Sequence, residues 1–68
     1  MVSFTHKKKV RLHIRDGAPS IEGILAGRTK GHYIIWSPRV LESEEASVSV
    51  LGHVEVPERN VMFVQVLS

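Results

Sequence analysis

The sequence predicts an all-β fold, five short strands closed into a small and strongly bent barrel, with one 3₁₀ turn before the last strand. Three observations predict it. Lys9 to Arg15 alternates strictly, with Val10, Leu12 and Ile14 of one parity and Lys9, Arg11, His13 and Arg15 of the other, the period-2 signature of a half-buried strand. Gly23 and Gly52 fall inside otherwise strand-like runs, where a glycine marks a bend or a close backbone approach that a few-stranded barrel needs. Two runs of β-branched and aromatic residues flank Pro57-Glu58-Arg59-Asn60. Proline ends the strand by removing a ladder donor, and four residues suffice for one 3₁₀ turn but not for an α-helix.

The remaining elements follow in order. Residues 1–8 read as an N-terminal arm, loose unless a surface takes up Phe4, and residues 9–68 as the barrel domain. Asp16-Gly17-Ala18-Pro19 is a turn, because Asp-Gly tolerates left-handed geometry and Pro19 blocks pairing. Ser20 to Arg28 is the second strand, with Ile21 and Leu25 on one face, and Gly27 to Gly31 is a glycine-bounded loop. His32 to Trp36 (HYIIW) is the third strand, apolar on both parities, so both of its faces are expected to be covered. Ser37 to Ala46 begins with Ser-Pro and passes three glutamates, which predicts an exposed connection with extended backbone at Val40 and Leu41. Ser47 to Val56 is the fourth strand, kinked at Gly52, and Val61 to Leu67 the fifth. In the fifth strand Val61, Phe63 and Leu67 lie on one face and Met62, Val64 and Val66 on the other, and two apolar faces imply a partner beyond the domain's own core; Phe63→Asp is expected to unfold the domain.

A chain of 68 residues with 43% hydrophobic content is too apolar for disorder, yet so small that folding buries only about 60% of the unfolded surface. It has no cysteine, so neither a disulfide nor a Cys-based zinc framework supplies the missing stability, and association with other chains is the natural source. No apolar run approaches the roughly 18 residues of a membrane span, and the basic N-terminus is not followed by a hydrophobic segment. The expectation is a protein that is not secreted and has no membrane partner, working in the cytoplasm or as part of a virion-type particle. Charge is uneven. Residues 1–39 hold eight Lys or Arg against Asp16 and Glu22, whereas residues 40–68 hold only Arg59 against five glutamates.

The order of elements resembles the SH3-like and Sm-like small barrels over about residues 9–67. VRLHIRDGAPSIEGILAGRTKGHYIIW is similar to the first Sm motif, with an alternating strand, Asp-Gly, Gly23-x-Leu25 and an aromatic-aliphatic strand. LGHVEVPERNVMFVQVL is similar to the second, and the turn before Val61 looks like the Pro-x-x-Asn-Val ending of SH3-like domains. The RNA-pocket residues of the Sm family are not matched: Thr29 stands in place of its Asp, Tyr33 in place of its Asn, and Pro57-Glu58 in place of its Arg-Gly. Its N-terminal helix is missing as well. The resemblance implies ring assembly through the edges of the fourth and fifth strands, here about Ser47 to Val56 and Val61 to Leu67.

Nothing in the chain has the spacing of a catalytic motif or a phosphate loop, so a non-enzymatic role is expected, with no cofactor. His6, His13, His32 and His53 fall in separate elements without metal-ligand spacing, and no metal is expected. The leading expectation is self-association into a ring, or docking onto a larger protein assembly such as a phage-type virion, through Tyr33, Trp36, Val48, Val50, Met62, Val64 and Val66. The virion placement is an analogy at the level of fold. The alternative is RNA or single-stranded nucleic acid, with Lys7, Lys8, Lys9, Arg11, Arg15, Arg28 and Lys30 tracking phosphates and Tyr33 or Trp36 stacking on bases.

Overall fold

A computed structural model describes residues 2–68, with side chains described from Lys7 onward. It contains six strands and two single 3₁₀ turns: β1 (Val2–Ile14), a turn at Arg15–Gly17, β2 (Ser20–Thr29), β3 (His32–Leu41), β4 (Ser47–Ser49), β5 (His53–Pro57), a turn at Glu58–Asn60 and β6 (Val61–Val66). The strands form one antiparallel sheet in the order β4-β3-β2-β1-β6, and β5 also pairs with β3. The all-β class and the 3₁₀ turn before the last strand are as predicted. The strand count and the closure are not.

Six strands replace five because the predicted strand from Ser47 to Val56 breaks at Val50–Gly52. Gly52 takes φ +88°, open to glycine at no steric cost, and β3 kinks opposite it at Ser37, φ +51°. The two kinks are stitched together by Ser37 N–H donating to the Gly52 carbonyl (3.1 Å) and Val50 N–H donating to the Pro38 carbonyl (2.9 Å). As a result β3 does not end at Trp36. It continues through Ser37-Pro38 to Leu41, pairing β5 with its first half and β4 with its second. Pro38, predicted in an exposed connection, is fully buried; its missing N–H costs nothing where its carbonyl is the atom that accepts.

Two further differences concern length. The loop predicted at Gly27 to Gly31 is a two-residue hairpin, with Lys30 and Gly31 at φ +45° and +78°, the geometry that matches strand twist. β1 begins at Val2, and Val2, Ser3 and Phe4 pair with Thr29, Arg28 and Gly27 before a bulge between Phe4 and Lys8. The backbone of the predicted arm is therefore part of the sheet from Val2 on, while the Phe4 side chain lies outside the described residues.

The sheet curls about a core of Val10, Leu12, Ile35, Val56 and Val61, against which Ile14, Ile21, Leu25, Tyr33, Val54 and Val64 pack. The curl is tight at Gly23, where a Cβ would stand 2.5 Å from Ile35 Cγ2 and 2.7 Å from the Trp36 carbonyl oxygen; only glycine allows β2 to cross β3 so closely. Although β5 and β6 both contribute to this core, no pairing joins them among the described residues. The barrel is open along that seam. Pro57 offers no N–H, and the following turn is held elsewhere, by Glu58 N–H on the Gly31 carbonyl (2.8 Å) and by an Arg28–Glu58 ion pair.

Candidate association surface

Opening the barrel leaves two sheet edges. Among the described residues β6 pairs with β1 alone, and β4 and β5 each pair with β3 alone. Such edges present rows of backbone donors and acceptors ready to pair with another strand. Exposed apolar side chains gather on both: Met62, Phe63 and Val66 on β6, and Val48, Val50 and Leu51 at β4 and the bend after it, with Leu51 wholly exposed.

The predicted self-association residues divide. Val48, Val50, Met62 and Val66 are exposed on the two edge elements, and Trp36 is 38% exposed on the outer face, with Lys7 Nζ 4.5 Å from its ring centre. Tyr33 and Val64 are instead half-buried and pack against the core cluster. Tyr33 pairs with Val56 of β5, and Arg28 lies 5.4 Å from its ring centre. Val64 turns inward because of a bulge that shifts the β1–β6 register between His13 and Ile14: Ile14 opposes Val61 but His13 opposes Phe63. One slipped residue exchanges faces. It buries Val61 and puts Phe63 outside, 52% exposed and stacked on the His13 ring at 4.2 Å. Phe63 is thus not a core residue, a correction that no parity count on β6 alone would find. Leu51 was missed for a different reason: it abuts a glycine kink, where alternation assigns no face.

The predicted basic track is largely occupied within the chain. Glu22, 7% exposed, receives Arg11 Nη2 at 2.7 Å and Arg11 Nε at 3.2 Å on one carboxylate oxygen, while Lys9 Nζ lies 3.6 Å from the other. The Arg11 hydrogen bond holds the Glu22 carboxyl below the usual range; burial pushes the other way, and attraction to Arg11, Lys9 and Arg39 reinforces the lowering. Arg15 Nε donates to the Arg59 carbonyl at 2.9 Å, and Arg28 is paired with Glu58. Lys7 caps Trp36, whereas Lys8 and Lys30 are simply exposed.

Among the described residues no three His, Asp or Glu side chains cluster as a metal site, and no helix is long and apolar enough to cross a membrane. Two concavities stand out. On the outer face Arg11, His13, Glu22, Arg39 and Glu44 line a polar one. An apolar groove of about 360 Å³ lies between the first turn (Ala18, Pro19), β5 and Asn60, over Ile14, Ile21 and Val40. No protein family, curated protein or solved structure matches this chain.

Proposed function

We propose that this chain is a non-enzymatic structural module, a small SH3/Sm-like barrel open at its β5–β6 seam, that works by extending its sheet into copies of itself or into a larger particle. The observation that carries this reading is the pair of unpaired edges, each with its own exposed apolar side chains. A monomer with both edges bare would present templates for uncontrolled pairing, and exposed apolar residues grouped on two edges mark an interaction surface. Pairing the β6 edge of one copy with the β4–β5 edge of the next is heterologous, so it closes into a ring if the rotation permits. Glu42, Glu44 and Glu45 follow one end of the β2–β3 ladder and Lys30 stands at the other, which favours one polarity of stacking and disfavours the reverse.

Mass measurement in solution at moderate salt tests the proposal. A discrete oligomer is expected, and a chain that stays monomeric at high concentration overturns it. A second reading, single-stranded nucleic acid on the outer face, is favoured by one observation: Trp36 is exposed there beside Lys7, in the same cross-strand row as Lys9. Binding of labelled oligonucleotides that falls steeply with salt and is lost in Lys7→Ala and Lys8→Ala would promote it.

A further inference from the structure

Trp36 and Phe63 stand on the same face of the sheet, at opposite corners of it. Cross-strand pairing places them there. Lys9 pairs with Ile24 and Ile24 with Trp36; two positions along β1, Arg11 pairs with Glu22 and Glu22 with Arg39; two further on, His13 pairs with Phe63. Cross-strand partners share a face, as do alternate residues of one strand. At about 4.8 Å per strand and 3.4 Å per residue, the two rings lie roughly 20 Å apart along the surface. Each ring is braced on one side. Lys7 Nζ lies 4.5 Å from the Trp36 ring centre, and the His13 ring stacks on Phe63 while its Nε2 is hydrogen-bonded to Gln65 Oε1 at 2.9 Å. Both rings keep exposed surface, 38% at Trp36 and 52% at Phe63.

Between the rings the face is basic. Lys9, Arg11 and Arg39 surround the carboxylate of Glu22, and all three attract it. A guanidinium carries five N–H donors; Glu22 engages two of Arg11's, and Ser47 Oγ engages one of Arg39's at 2.8 Å. The polar concavity lined by Arg11, His13 and Arg39 opens on this path, with Glu44 also lining it. We propose that one single-stranded nucleic acid crosses this face from Trp36 to Phe63, with a base on each ring and phosphates at Arg11 and Arg39. The inference rests on the outer-face reading above and extends it from one corner of the face to both. Three cations against one carboxylate leave a positive excess for a phosphate backbone. An acidic peptide matches that charge but has no use for two separated flat rings, whereas bases stack on such rings whatever their sequence. The separation suits a run of about four nucleotides or more, the short end of sites on small barrels. Pairing along strand edges leaves the sheet face uncovered, so this binding is compatible with assembly.

The test uses the full chain, in which Trp36 is the sole tryptophan, and an oligothymidylate of about twelve nucleotides. Titration is expected to quench Trp36 fluorescence, with an apparent Kd that rises steeply with salt. Phe63→Ala, at an exposed position, is expected to keep the parent's circular dichroism and to raise Kd at least about fivefold, the loss of one base stack. Phe63→Leu, which keeps apolar bulk without a flat ring, weakens binding in the same way, and Phe63→Tyr binds as the parent does. Arg39→Ala lowers the slope of log affinity against log salt by about 0.7; an unchanged slope overturns the phosphate at Arg39. Parent affinity in Phe63→Ala and Phe63→Leu overturns the crossing path and leaves the Trp36 end of the outer-face reading standing. Equal quenching by polyglutamate of the same charge assigns the face to an acidic protein and overturns the nucleic acid. A parent that binds no oligothymidylate at low salt overturns this inference and the outer-face reading together, while edge pairing stands.

Discussion

Two side chains at the residue scale decide how the outer face behaves. Glu22 is nearly buried yet remains charged because Arg11 grips it and Lys9 stands by. Its folded pKa lies below its unfolded value, so it stabilises the fold above the unfolded carboxylate range near pH 4.3, and that stability is lost as pH falls through the lower folded value. Urea midpoints measured between pH 6 and pH 3 should therefore fall with acidification, and Glu22→Gln should flatten that fall. At pH 7 the variant should cost about 1 kcal/mol, less than a fully buried pair because Arg11 is partly solvated. Phe63 is the second case. Exposed and stacked on His13, it should tolerate Phe63→Asp at a cost of about 1 kcal/mol, the scale of one cross-strand pair. Leu12→Ala, which empties a fully buried site, should cost about 2–5 kcal/mol. Thermal melts of the two variants check the contrast; equal losses would put the Phe63 ring inside.

The decisive element-scale feature is the pair of kinks on neighbouring strands. Gly52 has a positive φ that glycine adopts freely; Ser37 faces it with the same sign and no such licence, a cost the two cross-strand hydrogen bonds offset. Were either kink absent, β3 and the chain from Ser47 to Val56 would form one straight hairpin, and the sheet would lose the fold-over that brings Val56 onto Val10 and Leu12. β6 is the other element of consequence, short and open on one side. Lysine on an exposed edge blocks strand addition without touching the core. Met62→Lys with Val66→Lys, both at positions 56% exposed, should leave the far-ultraviolet spectrum unchanged and abolish assembly in analytical ultracentrifugation.

If copies pair along their edges as proposed, stability and association become one quantity for the molecule as a whole. A five-residue core cluster cannot carry a 68-residue chain far above the threshold of folding, and partner copies that bind only the folded state would raise its stability by mass action. The melting temperature should thus rise with protein concentration across the range where the oligomer forms. A melting temperature constant from micromolar to millimolar chain would mean that each copy is sufficient alone. If the charged ends only orient the proposed pairing, added salt should weaken assembly modestly, because screening acts on exposed charges and spares buried contacts.

Much of this architecture is written locally. The alternation of Val10, Leu12 and Ile14 against Lys9, Arg11 and His13, the Asp16-Gly17 turn, the Pro57 to Asn60 turn, the close crossing at Gly23 and the kink at Gly52 each follow from one residue's own backbone freedom or from strand periodicity. The sequence by itself thus determined an all-β chain, the turns at Asp16-Gly17 and Pro57 to Asn60, and one face of its first strand. Three things were settled only in the folded molecule: that β3 runs on through Ser37-Pro38, that a bulge opposite His13 turns Phe63 out and Val64 in, and that β5 and β6 do not pair. Each depends on which backbone groups of a distant strand stand opposite, and register is a property of two strands that neither spells out alone.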